Sequence, residues 1–589
     1  MVLSLGVMFF RIKTSGPRAY LQIVQNRRED GAHRQHVIAT LGRVDELEAT
    51  GGLAALLASG ARLCQQVMLL SALGTENQEP RLSTRRIGAP LLFGRLWEET
   101  GCRAAMAQRL AGRGFEFDVE RAVFVTVLHR IMASGSDRAC EKWMEDYDIS
   151  ATEGLALHQL YRAMAWLGEE LSAAEQADAT PFAPRCVKDQ IEEDLFARRR
   201  DLFSELSVVF MDTTSLRFEG RGGETLGQRG HSKDHRPDLN QMILSVVIDA
   251  DGRPLCTEMW PGNTADVSVL LPVIDRLRSR FAIGRVCIVA DRGMISQATI
   301  DGLEQRGLDY ILGARERTDR LVRDVVLADD KPFTPLLVER ANGAETQLFA
   351  KEVRLQGRRY IVCRNEAEAE KDRADRQAII EALGKQLQRG DKALIGNSAY
   401  RRYLRRAGAR DGAAGPAFEI DPGKAAEEAK YDGIFVLRTN TRLHPLQAML
   451  RYRDLLQVEE LFRKTKSVLR TRPIYHSSDA AIRGHVFCSF LALILQDELL
   501  RRCRVVGLKP EWGDVLRDLD RLQQGKVEQG GKTWQVRTEA GSIASALLRA
   551  CGIAVPPRIQ GIPPPAPAPA SPPAAPKRRG RPRRGATRP

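Results

Sequence analysis

Apolar and polar residues alternate at the start of the chain, and the period lengthens to that of a helix after about forty residues. The predicted strands are Val7–Lys13, Ala19–Asn26 and His33–Gly42. From about residue 45 to 180, apolar residues recur three and four positions apart, most clearly in Ala89–Leu110 and Val119–Ala133. We therefore predict a small β region at 1–44 and a helical region at 45–200, in which interleaved arginines suit DNA binding or merely solvated helix faces.

After residue 205, continuous apolar runs alternate with helical patterns. The predicted elements are strand Ser207–Thr214, a hairpin of Met242–Ile248 and Pro254–Trp260, helix Ala265–Arg280, strand Arg285–Ala290, helix Ser296–Arg306 and strand Leu308–Leu312. Asp251-Gly252 between the hairpin strands is a strong turn signal. Three strands able to pair antiparallel, followed by strand–helix–strand, predict an α/β fold. Residues 201–313 should form the first part of a mixed five-stranded sheet with flanking helices.

The alternation then stops, which predicts an insertion. Residues 314–430 contain short strand-like pieces, a charged helical stretch at Glu366–Gln388 and a Gly-, Ala- and Arg-rich stretch, so we expect a largely β insertion. The core should resume at 431–504, where Pro445 suits the first turn of a long helix. A small mixed region at 505–555 and a Pro/Ala linker with a basic tail at 556–589 complete the predicted organisation.

The net charge of +14 and a pI near 9.4 favour a polyanionic partner, most simply double-stranded DNA. The last thirteen residues contribute half of this net charge. The ten cysteines form no Cys-x-x-Cys pair and the nine histidines lack zinc spacing, which argues against zinc ribbons, redox dithiols and histidine-based metal chemistry. No run of 18 apolar residues or good signal peptide is found, so we expect a cytoplasmic protein without a membrane partner.

Three acids stand where metal-dependent enzymes place them. Asp212 and Asp291 each follow an apolar strand-like run, and Glu459 lies in the helical segment Tyr452–Lys466. A carboxylate at the end of a buried strand lies at the edge of the core, where ligand sites of open α/β sheets form. Asp also favours turns, so either position alone could be only a strand end. Together, the three could hold two divalent ions for phosphoryl transfer.

Helical geometry separates Glu459 from its neighbour. At about 100° per residue, Tyr452, Glu459 and Lys466 lie within about 20° of one line, beside apolar side chains. Glu460 is rotated by about 100° and should face solvent. An acid on the apolar stripe needs a partner, since an unpaired buried carboxylate is costly. That partner could be Lys466 or Arg463 in a salt bridge, or metal ions shared with Asp212 and Asp291.

At these residues the chain resembles DDE-type insertion-sequence transposases with a ribonuclease H-like core. It is similar to the subgroup with the signature Tyr-x2-Arg-x3-Glu-x6-Lys and a β-rich insertion before the last acid. Here the signature has Tyr452, Glu459 and Lys466 in register, with Leu455 in place of the Arg. Other segments that fit are Val209–Ser215, Gly230–Pro237, Pro261–Asp266 and Ala290–Gly293.

The resemblance implies a transposase that binds the terminal inverted repeats of its element, cleaves the ends and joins the 3′-ends to target DNA. Two Mg2+ ions, for which Mn2+ can substitute, would be held by Asp212, Asp291 and Glu459. Lys466 would grip a phosphate, and Tyr452 would bond the DNA backbone. Arg453 or Arg463 would make the phosphate contact of the missing signature Arg. A homodimer associated with the bacterial nucleoid is expected.

Two other classes of protein share part of the pattern. A catalytically inactive or domesticated DNA-binding regulator would show a broken acid triad, and all three acids are present. A phosphatase of the aspartyl-phosphate type needs a second Asp where Thr214 stands. Trp260 is a candidate for base stacking, although a Trp there is more often part of the core.

The basic tail resembles an AT-hook. Its core is Arg579, Gly580, Arg581 and Pro582, flanked by further arginines. Gly and Pro favour a flat, extended chain whose arginines could enter a narrow A·T minor groove. The alternative is a generic basic tail that binds any phosphate.

Overall fold

The computed structural model describes residues 8–29, 32–52, 81–176, 183–199, 207–233, 236–281, 283, 286–339, 345–355, 357–388, 402–406, 418–469, 471–529 and 532–562. The chain divides into two compact units. The first contains Met1–Arg86, Asp520–Gly541 and Ala554–Pro589, and the second contains Ile87–Leu519 and Ser542–Ile553.

The described strands are β1 (Met8–Ser15), β2 (Arg18–Glu29), β3 (Ala32–Arg43), β4 (Arg81–Arg86), β5 (Val208–Arg217), β6 (Gln241–Asp249), β7 (Pro254–Pro261), β8 (Cys287–Ala290), β9 (Asp309–Gly313), β10 (Thr334–Glu339), β11 (Glu345–Leu355), β12 (Arg358–Arg364), β13 (Leu404–Arg406), β14 (Phe418–Ile420), β15 (Ile434–Thr439), β16 (Gln523–Gln529), β17 (Lys532–Arg537) and β18 (Ile559–Ile562).

The described helices are α1 (Val44–Ala49), α2 (Gly88–Glu99), α3 (Cys102–Leu110), α4 (Val119–Met132), α5 (Asp137–Trp143), α6 (Leu157–Leu167), α7 (Val187–Arg199), α8 (Asp266–Phe281), α9 (Gln297–Gln305), α10 (Glu366–Leu387), α11 (Pro422–Ala429), α12 (Pro445–Arg453), α13 (Leu456–Arg463), α14 (Asp479–Val505), α15 (Trp512–Arg521) and α16 (Ser542–Ala550).

The first unit contains two antiparallel sheets. Strands β1, β2 and β3 form one sheet in chain order, which confirms the three strands predicted from the alternation. The second sheet has the order β18-β17-β16-β4. Its strand β4 lies in the region where only helices were predicted, and it pairs with β16 more than 400 residues later. The predicted mixed region after residue 504 therefore completes a sheet that begins near residue 81.

A nine-stranded mixed sheet organises the second unit, in the order β10-β11-β12-β15-β9-β8-β5-β6-β7. Strands β5, β6 and β7 form an antiparallel meander, and β8 and β9 run parallel to β5. The predicted hairpin is confirmed, with Gly252 at a φ of +79° in its turn, a conformation that favours glycine. The sheet's apolar residues pack against α8 and α9, so this part of the core lies where strands and helices alternate in the sequence.

The sheet has nine strands rather than the predicted five because β15, where the core was predicted to resume, and three strands of the insertion add to it. Strand β15 pairs antiparallel with β9, and β12, β11 and β10 continue outward from β15. Without them, β9 would present an unpaired edge, and pairing of this kind protects such an edge. The charged segment predicted as helical forms α10, and β13 and β14 make a separate small hairpin.

Helix α14 is the centre of the helical layer. It packs against α4 and α6, and most of its residues are buried. It is long and apolar enough to cross a membrane by composition, but 94% of its apolar window is buried inside the protein. The nine cysteines described are all free and buried.

A buried cluster of charges joins α7, β7 and α8. The Arg280 side chain has no exposed surface and lies 2.6 Å from Glu192 and 3.1 Å from Glu258. Lys188 lies 2.6 Å from Asp189, and Arg276 lies 3.2 Å from Glu258. Three cations thus face three buried acids. Buried charges are tolerated only when they are paired and hydrogen-bonded in this way.

We expect Arg280→Met to lower the free energy of unfolding by about 3–5 kcal/mol, because removing one partner leaves buried carboxylates uncompensated. Urea titration measures the change. Arg306→Met is the matched control, since Arg306 makes a partly exposed pair with Asp275 at 2.7 Å and should cost less than about 1 kcal/mol. Equal losses in the two variants would contradict the role assigned to the buried cluster.

Candidate active site

The central sheet opens beside two of the predicted acids. Strands β5 and β8 pair in parallel from Val208–Cys287 to Met211–Ala290, and the pairing then ends. Asp212 and Asp291 are the next residues on the two strands. The sequence predicted Asp212 at the end of a strand, but β5 continues to Arg217 through its pairing with β6, so Asp212 lies within the strand. The edge of β5 at Asp212 is uncovered because β8, not β5, ends there.

Asp291 is held by a tyrosine. It caps the 3-10 turn Arg292–Met294, and its Oδ1 accepts a hydrogen bond of 2.9 Å from the Tyr452 hydroxyl. A Cβ on Gly313, at the end of β9, would overlap that hydroxyl, so a glycine is needed for the close approach. Burial, together with the Asp291 charge, raises the pKa of Tyr452, so the phenol keeps the proton that it donates.

The predicted single helix Tyr452–Lys466 is wrong, because the segment is interrupted. Helix α12 ends at Arg453, α13 begins at Leu456, and Lys464–Val468 form a π-helical turn. Helix α12 packs against β8 and β9, whereas α13 packs against β5 and β6. The two helices therefore follow different strands, and Tyr452 does not share one helical stripe with Glu459 and Lys466.

The surroundings of Glu459 and Glu460 differ, although both are exposed. Glu460 lies 3.3 Å from Lys464 and 3.7 Å from Arg463, the pattern of a solvent-face charge. Within the part of the chain that the structure describes, no ion pair is found for Glu459. The expectation that Glu459 is buried is wrong, because its side chain is exposed, and its charge acts on Asp212.

The positions around the signature are also resolved. Leu455 is 4% exposed, so the place of the signature Arg faces the core and offers no charge. Arg453 is exposed at the end of α12 and Arg463 is 75% exposed on α13. Trp260, in β7, is 3% exposed and belongs to the core, which confirms the core interpretation.

The electrostatics place the three acids near one another. Burial raises the pKa of Asp212 to about 6; the Lys233 charge and the Thr213 N–H oppose this, and the charges of Asp291 and Glu459 add to it. Burial lowers the pKa of Lys466 to about 8, with Lys233 adding to the effect and Asp212 opposing it. The charges of Asp291 and Glu459 thus both act on Asp212. Lys233 and Lys466 also interact electrostatically with Asp212.

Lys233 is the residue that sequence reasoning missed. Its Nζ lies 2.7 Å from the Thr213 carbonyl oxygen, 2.8 Å from Thr213 Oγ1 and 3.1 Å from Asp266. The available signal was its place in the Gly230–Pro237 segment, which was noted for the resemblance without a role for the lysine.

A second cluster combines histidines with an acid, away from the opening. Among the described residues, Asp137, His476 and His485 form the one group whose ligand-type atoms all lie within 4.8 Å of one another. Arg130 lies among them, with Nη2 2.8 Å from His485 Nδ1 and 3.3 Å from Asp137. Burial, with Arg130 adding to it, lowers the pKa of His485 to about 4. The guanidinium already supplies the cation that this cluster would otherwise attract.

Two protein families match the chain. The family described as "Transposase DDE domain" matches residues 203–495, and "IS1634 family transposase, N-terminal domain" matches residues 10–75. The chain is an insertion-sequence transposase with a DDE domain. Among curated proteins, no relative matches it. One matching solved structure is the cryo-EM structure of a piggyBac transposase synaptic complex with hairpin DNA, at 10% identity and a TM-score of 0.33. That match covers 73% of this chain and 77% of the other.

The matched DDE domain includes Asp212, Asp291, Tyr452, Glu459 and Lys466, and a domain of this kind acts on DNA with divalent metal ions. The N-terminal match covers the sheet of β1, β2 and β3 and supports DNA as the transposase's partner. The predicted tail residues Arg579, Gly580, Arg581 and Pro582 lie outside the described residues.

The raised pKa of Asp212 makes a prediction for stability. The folded protein binds this proton more tightly than the unfolded chain, so ionised Asp212 costs stability fully above about pH 6, and the cost disappears below about pH 4. Asp212→Asn should therefore raise the free energy of unfolding of the metal-free transposase by about 1–3 kcal/mol at pH 8 and leave it unchanged at pH 4. Asp251→Asn, at a position 72% exposed, is the control. A gain that does not depend on pH would contradict the assignment.

The Tyr452–Asp291 contact makes a second prediction. Tyr452→Phe removes the donor and Gly313→Ala displaces the ring, so each should slow DNA cleavage by roughly 10–100-fold, as loss of an orienting partner of a metal ligand does. DNA binding should persist in a mobility-shift assay. Because both changes act on one contact, the double variant should be no slower than the slower single variant. Gly513→Ala, where a Cβ meets open space, should leave the rate unchanged.

Proposed function

We propose that this transposase binds the terminal inverted repeats of its element, cleaves the DNA at the ends and joins the 3′-ends to target DNA at the opening between β5 and β8. The observation that carries the proposal is the convergence of Asp212, Asp291 and Glu459 on that opening, with lysines beside them. The strand order β7-β6-β5-β8-β9, at one end of the sheet, supports a ribonuclease H-like core.

The residues at the opening fit two divalent ions. All three candidate ligands are carboxylates, the hard oxygen donors that suit Mg2+ or Mn2+. Two ions would share Asp212 as a ligand, and Asp291 and Glu459 would each complete one of the two sites. When bound, the ions would activate the attacking oxygen and stabilise the leaving oxygen at phosphorus.

The side chains divide the remaining work. Tyr452 orients Asp291 by donating its hydroxyl proton to one carboxylate oxygen, Oδ1. Lys466 lies beside Asp212 in partly buried surroundings, where an ammonium ion neutralises a phosphate oxygen more strongly than in water. Arg463 on α13 and Arg453 on α12 are exposed. They would contact DNA phosphates farther along the duplex than the phosphate held at the three acids.

The subgroup assignment follows from the same residues. We propose the Tyr-Arg-Glu-Lys subgroup, with Tyr452, Glu459 and Lys466 in their signature roles and Leu455 as a departure that the protein uses for packing. A homodimer at the nucleoid would bring two element ends together. The Arg579–Pro582 tail would hold the minor groove of nearby A·T-rich DNA and raise the local DNA concentration.

The two neighbouring glutamates provide the experiment. Glu459→Gln removes a proposed metal ligand and should reduce Mg2+-dependent nicking of DNA that carries the element's own ends by roughly a thousandfold or more, while DNA binding persists. Glu460→Gln differs by one position and removes only a surface ion pair, so it should cleave at close to the normal rate. The reverse result would refute the proposed site, and a normal rate in Asp212→Asn would refute it independently.

A further inference from the structure

Strand β5 loses its neighbour at the point where it carries Asp212. Below the opening, Met211 pairs with Ala290 of β8, and above it β5 pairs with β6 alone until its last residue, Arg217, whose carbonyl oxygen accepts from the Ile474 N–H at 3.1 Å. A residue in an antiparallel ladder directs its N–H and C=O to the same side. Buried backbone groups that lose a ladder partner must find another. The edge of β5 next to Asp212 therefore needs partners that the sheet does not provide.

Side chains supply those partners at Thr213. Its N–H donates to Asp212 Oδ1 at 2.7 Å, and its carbonyl oxygen accepts from Lys233 Nζ at 2.7 Å. One carboxylate and one ammonium thus occupy the two backbone groups of the residue that follows Asp212. Lys233 takes the position of a donor that a continued β8 would have offered.

Lys233 is fixed at both ends. Its backbone N–H donates to Ser215 Oγ at 3.0 Å, two residues along β5 from Thr213. Its Nζ donates to Thr213 Oγ1 at 2.8 Å, and that hydroxyl donates in turn to Asp266 Oδ1 at 2.9 Å. Asp266 begins α8 and lies 3.1 Å from Nζ through its other oxygen. The contacts form a closed triangle that connects β5 to the first turn of α8.

The donor count decides what Lys233 does. An ammonium group has three N–H donors, and three acceptors surround it: the Thr213 carbonyl, the Thr213 hydroxyl and Asp266. No N–H donor of Lys233 remains for a phosphate unless one of these contacts breaks. Lys233 therefore holds protein groups, and the proposed function assigns the phosphate contact to Lys466.

We propose that Lys233 is a positioning residue of the DNA-cleavage site, which replaces the missing strand at the edge of β5 and fixes the backbone that aims Asp212 at the metal ions. This inference rests on the proposed function of Asp212 as the shared ligand. It gives Lys233 a mechanical role, and it makes Thr213 and Asp266 parts of the same device.

The test separates positioning from DNA binding. Lys233→Met keeps the length of the side chain and removes the donors. The single-turnover rate of end cleavage at saturating DNA should fall by roughly 100-fold, the cost of a misplacement of about 1 Å, while the Kd for end DNA and the Tm stay close to those of the unchanged protein. Arg236→Met is the control in the same loop, since Arg236 is 47% exposed and bonds Asp238; its rate should not change.

A second variant covers the case in which Lys233→Met does not fold. Asp266→Asn weakens the triangle from the α8 side and should lower the rate by roughly tenfold. Where both proteins fold, the double variant should be no slower than Lys233→Met alone, because the two residues act as one unit. A normal rate in both single variants overturns the inference, and so does a loss that appears in the Kd rather than in the rate. An active Asp212→Asn would instead refute the proposed function.

Discussion

The four-residue length of β8 is the constraint on which the site depends. Because β8 ends at Ala290 while β5 continues to Arg217, a strand that is buried on both of its faces is uncovered along one edge only after Met211. An ionised carboxylate would be strongly destabilising at an earlier position of β5, among Phe210, Val289 and their apolar neighbours. The length of β8 therefore determines where this core can hold a charged side chain.

The protein treats charge in two contrasting ways. In the cluster of α7, β7 and α8, buried cations and acids are balanced and hydrogen-bond one another, so the charges connect the two helices and the strand. At the opening, burial is not fully offset: burial and the charges of Asp291 and Glu459 make Asp212 harder to ionise although Lys233 opposes them, and burial and the Lys233 charge make Lys466 easier to deprotonate although Asp212 opposes them. Shifts of this kind cost stability and are typical of functional sites. The contrast supports the proposed site without reference to sequence similarity.

Local patterns predicted what local physics controls. The strands, the Asp251-Gly252 hairpin, the helix of residues 366–387 and the acids after apolar runs all follow from periodicity and turn chemistry. Pairing between distant segments was not predictable in this way. Strand β4 pairs with β16, and β15 pairs with β9, through contacts that no local window of the sequence contains. The spacing of seven residues that placed Tyr452, Glu459 and Lys466 in one stripe is also compatible with two helices, and only packing on different strands shows which arrangement forms. Lys233 was missed because its role comes from three acceptors that meet in space.

The turn at Asp454 and Leu455, between α12 and α13, divides the candidate site between two parts of the sheet. Tyr452 and Asp291 lie on the β8–β9 side of the opening, and Glu459 and Asp212 lie on the β5–β6 side. Helix α12 also packs against β11 of the insertion. The helix that carries Tyr452 therefore rests on both the strands beside the site and the insertion, which makes the insertion part of the support of Asp291.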